Sequence, residues 1–129
     1  MTFEEVKQEC ENMQEELQTV IPDDINAVID RAKTISVYHA RTGLLLAEAK
    51  KLMRAKKTSE IGETIIKIAK ENYLSAKAQN ALVDSIATEE MYLVDWLDRL
   101  NSNCKHQLDL IRSIISKEKE EMRFSNFGV

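Results

Sequence analysis

Chemistry inside a helical protein needs polar side chains held against one another. The places to look are where polar residues interrupt apolar rows. His39 and Thr42 fall at consecutive positions of one such row, and Asn101 interrupts another. Two readings fit these three residues. In coiled coils a buried polar layer fixes register and oligomeric state at a cost in stability. Alternatively they line a polar pocket in a bundle core, with Arg41 or Arg99 at its edge, suited to a small anionic ligand such as a signalling nucleotide.

Metal chemistry has little to build on. Neither His39 nor His106 has a carboxylate three residues earlier, where Ser36 and Asn103 stand, so the Glu-x-x-His pair of di-iron bundles is missing. Cys104 and His106 are two residues apart, which on a helix points them to different faces. The acid pairs Glu4/Glu5, Glu15/Glu16, Glu89/Glu90 and Asp95/Asp98 invite comparison with Mg²⁺-dependent helical nucleotide pyrophosphohydrolases. The next required carboxylate is replaced by Gln8 after Glu4/Glu5 and by Leu93 after Glu89/Glu90. A solvated acidic face that benefits from nearby helix N-termini accounts for these pairs. No Gly-rich phosphate loop and no Ser or Cys nucleophile with a neighbouring base can be found. The expectation is a non-enzyme with no catalytic residue, no metal site and no cofactor.

Two further groups are candidates for contacts. Lys50, Lys51, Arg54, Lys56 and Lys57 form a basic run able to grip phosphates, and their place near a helix C-terminus gives them an equally good structural role. Tyr92 and Trp96 are one turn apart beside an apolar row and read as core or interface anchors.

The elements that must position these residues are helices. Three Gly and one Pro in 129 residues leave few turns, and 5% aromatics argue against a β-sandwich. Thr2 with Glu5 forms a capping-box pattern for a first helix over about 3–21. Its seam of Phe3, Val6, Cys10, Met13, Leu17 and Val20 alternates spacings of three and four, as in a coiled coil, and Pro22 ends it. Asp23 or Asp24 caps a second helix to about Lys57, roughly 50 Å long at 1.5 Å per residue. Its seam is Val28, Ala32, Ile35, His39, Thr42, Leu46, Ala49 and Met53, and a second stripe of Ser36, Ala40, Gly43 and Ala47 would admit another helix closely. A shorter helix runs from Thr58 or Ser59 to about Asn72 with Ile61, Ile65, Ile68 and Ala69 inward, and Gly62 weakens its first turn. Ser75 caps a segment with Ala78, Leu82, Val83 and Ile86 apolar, and Thr88 marks either a fresh start or a kink. The last helix reaches about Arg123 along Val94, Leu97, Asn101, Cys104, Leu108, Ile111, Ile115 and Met122, widened by Leu93, Leu100, Gln107 and Ile114. Residues 124–129 lack periodicity and are expected to form a flexible tail.

Charge is uneven along the chain. The total is −4, yet residues 1–24 carry eight acids and one Lys, while residues 25–58 carry eight Lys or Arg and two acids. The acidic N-terminus has the wrong sign for a targeting peptide, and no apolar run is long enough for a bilayer. Two separated cysteines, Cys10 and Cys104, at seam positions read as buried reduced thiols. A cytoplasmic protein is expected, with no membrane contact.

The stretches 89–101 (EEMYLVDWLDRLN), 104–109 (CKHQLD), 114–123 (IISKEKEEMR) and 37–50 (VYHARTGLLLAEAK) cover about a third of the chain. They resemble a family of small helical proteins encoded by bacteriophages and prophages of gut Bacteroidales. That family has no assigned activity, so the resemblance implies a viral or mobile-element setting, in the host cytoplasm, and transfers no site residue.

The expectation is therefore an all-α bundle of long amphipathic helices with coiled-coil-like seams, one domain over residues 1–123, assembled as a homo-oligomer. Helix 1 is expected to project towards another subunit. The leading functional reading is a non-enzymatic phage accessory protein acting through helical protein–protein contacts and self-assembly. A nucleic-acid-binding accessory of phage replication or recombination, using the basic run, is the second reading. An oligomer that sequesters a small anionic ligand against host defence is the third.

Overall fold

The computed structural model describes residues 1–127, with side chains to Ser125. Five helices account for nearly all of it: α1 Phe3–Leu17, α2 Ile25–Lys57, α3 Glu60–Glu71, α4 Ala76–Ile86 and α5 Thr88–Phe127. No described helix is long and apolar enough to cross a membrane.

The frame is the antiparallel pair α2–α5. Cross-helix bonds link Arg31 to Gln107 and Thr42 to Asn101, so the two chains run in opposite directions. Val28, Ile35, Leu45 and Ala49 of α2 meet Leu93, Leu97, Leu100, Cys104 and Ile111 of α5 in one core, all essentially inaccessible to solvent. At roughly 25 cal/mol per Å² of apolar surface, each large aliphatic side chain so buried stabilises the fold by about 1.5–3 kcal/mol.

α1 completes a three-helix bundle. The Thr2 hydroxyl accepts from the Glu5 amide and the Glu5 carboxylate accepts from the Thr2 amide, both at 3.2 Å, closing the expected capping box. Val6, Cys10, Met13 and Leu17 are buried against α2 and α5. The seam expected to reach another subunit is thus satisfied within the chain, and helix 1 does not project. It also ends at Leu17, before Pro22. The Arg31 guanidinium takes the carbonyls of Leu17 and Thr19, and the Gln107 amide donates to Leu17 at 2.9 Å. A cation and an amide donor here satisfy carbonyls that another turn would otherwise use. Val20, expected in the seam, is consequently 90% exposed.

α3 and α4 form an antiparallel hairpin between the end of α2 and the start of α5. Its turn is a Schellman motif: the Leu74 amide donates to Ala69 and the Tyr73 amide to Lys70, each at 3.0 Å, with Tyr73 at φ 57° where glycine is usual. The buried face of α3 differs from the apolar stripe. Gly62 and Ala69 are buried, Ile65 is half-buried, and Ile61 and Ile68 face solvent. Gly62 is the reason. A Cβ at that position would overlap the Lys57 carbonyl oxygen and touch Ile86, so the glycine lets α3 close onto the end of α2. What the sequence suggests is a weak first turn is a close-packed one.

Ala87 separates α4 from α5, so residue 88 begins a new helix. α5 then continues past Arg123 to Phe127, further than its periodicity indicates, and Gly128 and Val129 lie outside the described residues. The region expected to be a loose tail is a projecting helical end with Met122 and Phe124 exposed.

Two glycines therefore make opposite predictions. Gly43 lies mid-helix with nothing within 4 Å of an added Cβ, so Gly43→Ala is expected to raise stability by about 0.5–1 kcal/mol. Gly62→Ala is expected to lower it by about 1–3 kcal/mol through the backbone overlap. Urea unfolding of the two variants measures both signs.

Candidate functional site

The polar interruptions of the seams do meet, and they satisfy one another. The side chain of Thr42 is fully buried, and its hydroxyl donates to the His39 carbonyl at 3.0 Å. The Asn101 amide donates to the Thr42 hydroxyl oxygen at 2.9 Å and to the His39 carbonyl at 3.1 Å. Three groups close a triangle in which His39 contributes its backbone and not its imidazole. The three residues form a hydrogen-bonded polar layer between α2 and α5.

The two arginines expected at the edge of a pocket lie elsewhere. Arg41 forms a two-point contact with Glu9 of α1, Nε to Oε2 at 3.0 Å and Nη2 to Oε1 at 2.8 Å. Arg99 faces outward from α5 beside Asp98, Ser102 and His106 in an open surface hollow. The structure brings His39, Thr42 and Asn101 together and leaves Arg41 and Arg99 apart from them. Arg31 is the arginine that enters the core region. It reaches Gln107 at 3.3 Å and the end of α1, a role that its sequence neighbourhood does not announce.

The basic run splays around the end of α2. Lys57 is held by Asp84 of α4 at 2.9 Å. Lys50, Lys51, Arg54 and Lys56 are exposed, with Lys50 and Arg54 on one side of the helix and Lys56 well away from them. Acidic α1 does not reach this far, because its N-terminal amine lies level with Glu48, 3.8 Å away.

Tyr92 and Trp96 pack with ring centroids 6.1 Å apart at 52°. Trp96 is anchored by its indole N–H on Gln14 of α1 at 3.1 Å, whereas Tyr92 is 68% exposed. With Phe3 and Leu93 they line a groove of about 410 Å³ between the starts of α1 and α5. Glu4, Lys7 and Glu89 stand around it, charges of both signs that select no ligand class.

An uncharged surface runs along α2. Opposite its buried seam, Ser36, Val37, Ala40, Gly43, Leu44 and Ala47 all face solvent, with Val37 66% and Leu44 53% exposed. Among the described residues no element covers the second packing face that the sequence marks. The α3–α4 hairpin adds Ile61 and Ile68, 60% and 53% exposed. Patches of this kind on a charged protein mark contact surfaces.

Both thiols are inert by environment. Burial, reinforced by Glu9 and Glu11, pushes the Cys10 thiol up to about 12, and burial raises Cys104 as well. Each is a protonated thiol near neutrality and a poor nucleophile. Among the described residues no group of three or more His, Cys, Asp or Glu is arranged to hold a metal ion.

Two outcomes follow from this geometry. Thr42→Val alone removes an acceptor from the Asn101 amide and is expected to cost about 1–3 kcal/mol, whereas the double variant Thr42→Val/Asn101→Leu is expected to recover most of that loss. Strict additivity in thermal or urea unfolding would contradict a mutually satisfied layer. Native protein at pH 8 is expected to resist a disulfide thiol reagent at both cysteines and to react fully once unfolded.

No protein-family model, curated protein or solved structure compared with the chain matches it. Its function has to be read from its own residues.

Proposed function

We propose that this protein is a non-enzymatic helical interaction protein that assembles with itself and with other proteins, in the phage or prophage setting that its resemblance implies. The observation that carries this reading is the bare outer face of α2. A helix lying on the surface of a bundle ordinarily shows charge to solvent and apolar residues to the core. The outer side of α2 is uncharged over residues 36–47, while its inner side, where Arg41 meets Glu9, is already filled by α1 and α5. Leaving Val37 and Leu44 in water forgoes burial that a partner helix would supply.

The exposed cations at the end of α2 support a second reading, contact with nucleic-acid phosphates through Lys50, Lys51, Arg54 and Lys56. It predicts affinity that falls steeply between low and moderate salt. For the sequestration reading, the hydroxyl of Thr42 and the side-chain amide of Asn101 are engaged in the layer's own hydrogen bonds.

Sedimentation velocity across micromolar concentrations tests the leading reading. A species of about twice the 14.8 kDa chain mass, or larger, is expected to grow with concentration. A single monomer boundary throughout would overturn self-assembly.

A further inference from the structure

Building on the self-assembly reading, we infer that the outer face of α2 pairs with the same face of a second copy, the two helices running antiparallel about a two-fold axis level with residue 42. Along this face Asp30, Lys33, Val37, Ala40, Leu44, Ala47, Lys51 and Arg54 are spaced 3, 4, 3, 4, 3, 4, 3, an unbroken heptad seam. All eight are exposed, and they lie on the side of α2 away from Ile35, Thr42 and Leu45. None of the four charged members takes part in an ion pair among the described residues.

Self-complementarity identifies the occupant. In the antiparallel register centred on residue 42, Val37 faces Ala47 of the second copy and Leu44 faces its Ala40. Each branched side chain therefore meets a methyl group, and every apolar layer has one large and one small member. Ser36 and Gly43 flank the seam on one side, and nothing lies within 4 Å of a Cβ added to Gly43, so the backbones are free to approach closely. At both ends Asp30 faces Arg54, which gives two opposite-charge layers by symmetry. The Lys33–Lys51 layer is like-charged, and the two Asp30–Arg54 layers outside it are of opposite charge. A parallel pairing of the same seam sets Asp30, Lys33, Lys51 and Arg54 each against its own copy, four like-charge layers without relief. The contact spans residues 30–54, about 37 Å of helix, and is isologous, so it closes as a dimer.

Cysteine pairing reads the register directly, because Cys10 and Cys104 are buried. Val37→Cys and Ala47→Cys are made separately in the full chain and treated with a short bismaleimide, alone and mixed in equal amounts. Ala40→Glu and the double variant Ile61→Glu/Ile68→Glu are followed by sedimentation, with circular dichroism confirming that helicity is retained. The expected result is several-fold more cross-linked dimer in the mixture than with either variant alone. Ala40→Glu, at an exposed position of the monomer, is expected to weaken dimerisation by roughly tenfold or more, since its charge would be buried unpaired. A wild-type dimer whose single variants cross-link as well as the mixture, or that survives Ala40→Glu, overturns the antiparallel α2 interface. In that outcome self-assembly itself stands, and dissolution by the Ile61/Ile68 variant places the contact on the α3–α4 hairpin. A wild-type chain that stays monomeric overturns both.

Discussion

The antiparallel packing of α2 on α5 is the interaction from which the rest of the molecule follows. Neither α1, at 15 residues, nor the α3–α4 hairpin has a large enough face to stand alone in water. α1 rests on the surface that the long pair provides, and the hairpin rests on the end of α2. Apolar contact alone would allow the pair to slip by a turn. The bonds from Asn101 to Thr42 and His39 exist in one alignment only, and a slip would bury the Asn101 amide without these partners. The layer thus converts a greasy seam into a single register, the best-attested use of buried polar groups in helical bundles.

The same logic ends α1. Arg31 and Gln107 come from the two helices of the frame and converge on the carbonyls of Leu17 and Thr19. They fix where α1 stops, and therefore where the connector through Pro22 must turn. Midway along α1, Arg41 and Glu9 tie it to α2 across a partly solvated contact, a geometry that contributes orientation more than stability. Tyr38 adds a further tie by donating its phenol O–H to Glu16 of α1. That bond holds the phenol in its protonated form and raises its pKa to about 12, so the contact persists at any pH near neutrality.

Much of this was legible in the residues. The seam through Val28, Ile35, Thr42 and Ala49 is inward-facing as its spacing indicates, and the Thr2–Glu5 and Asp24 caps form as their residue types imply. The bundle class and helix starts were therefore readable. What periodicity cannot tell is which element covers a seam. The narrow row of α1 reads like an intermolecular coiled-coil face, yet it closes on its own chain because the connector through Pro22 is short enough to fold back. Ile61 and Ile68 read as core because they are apolar, but the close approach permitted by Gly62 turned them outward. The Arg31 clamp gave no local signal, since its partners are 12 to 76 residues away. Among the candidate site residues, His39, Thr42 and Asn101 stood out as polar interruptions of two seams, and the structure brings them together. The separation of Arg41 and Arg99 from them required the three-dimensional arrangement.

With α1 accounted for inside the chain, the outer face of α2 is the surface that the internal packing leaves unexplained, and the account centres on its pairing with a second copy. Pulsed electron–electron resonance on single nitroxide labels at Ser36, Lys51 and Arg54, which border or end the apolar layers, addresses that claim most directly. An antiparallel pair centred on residue 42 predicts interspin distances that lengthen by about 3 Å for each residue away from 42, because both copies recede from the axis together. Distances that stay short and constant along the helix, or the absence of any dipolar signal at concentrations where the protein is dimeric, would contradict it.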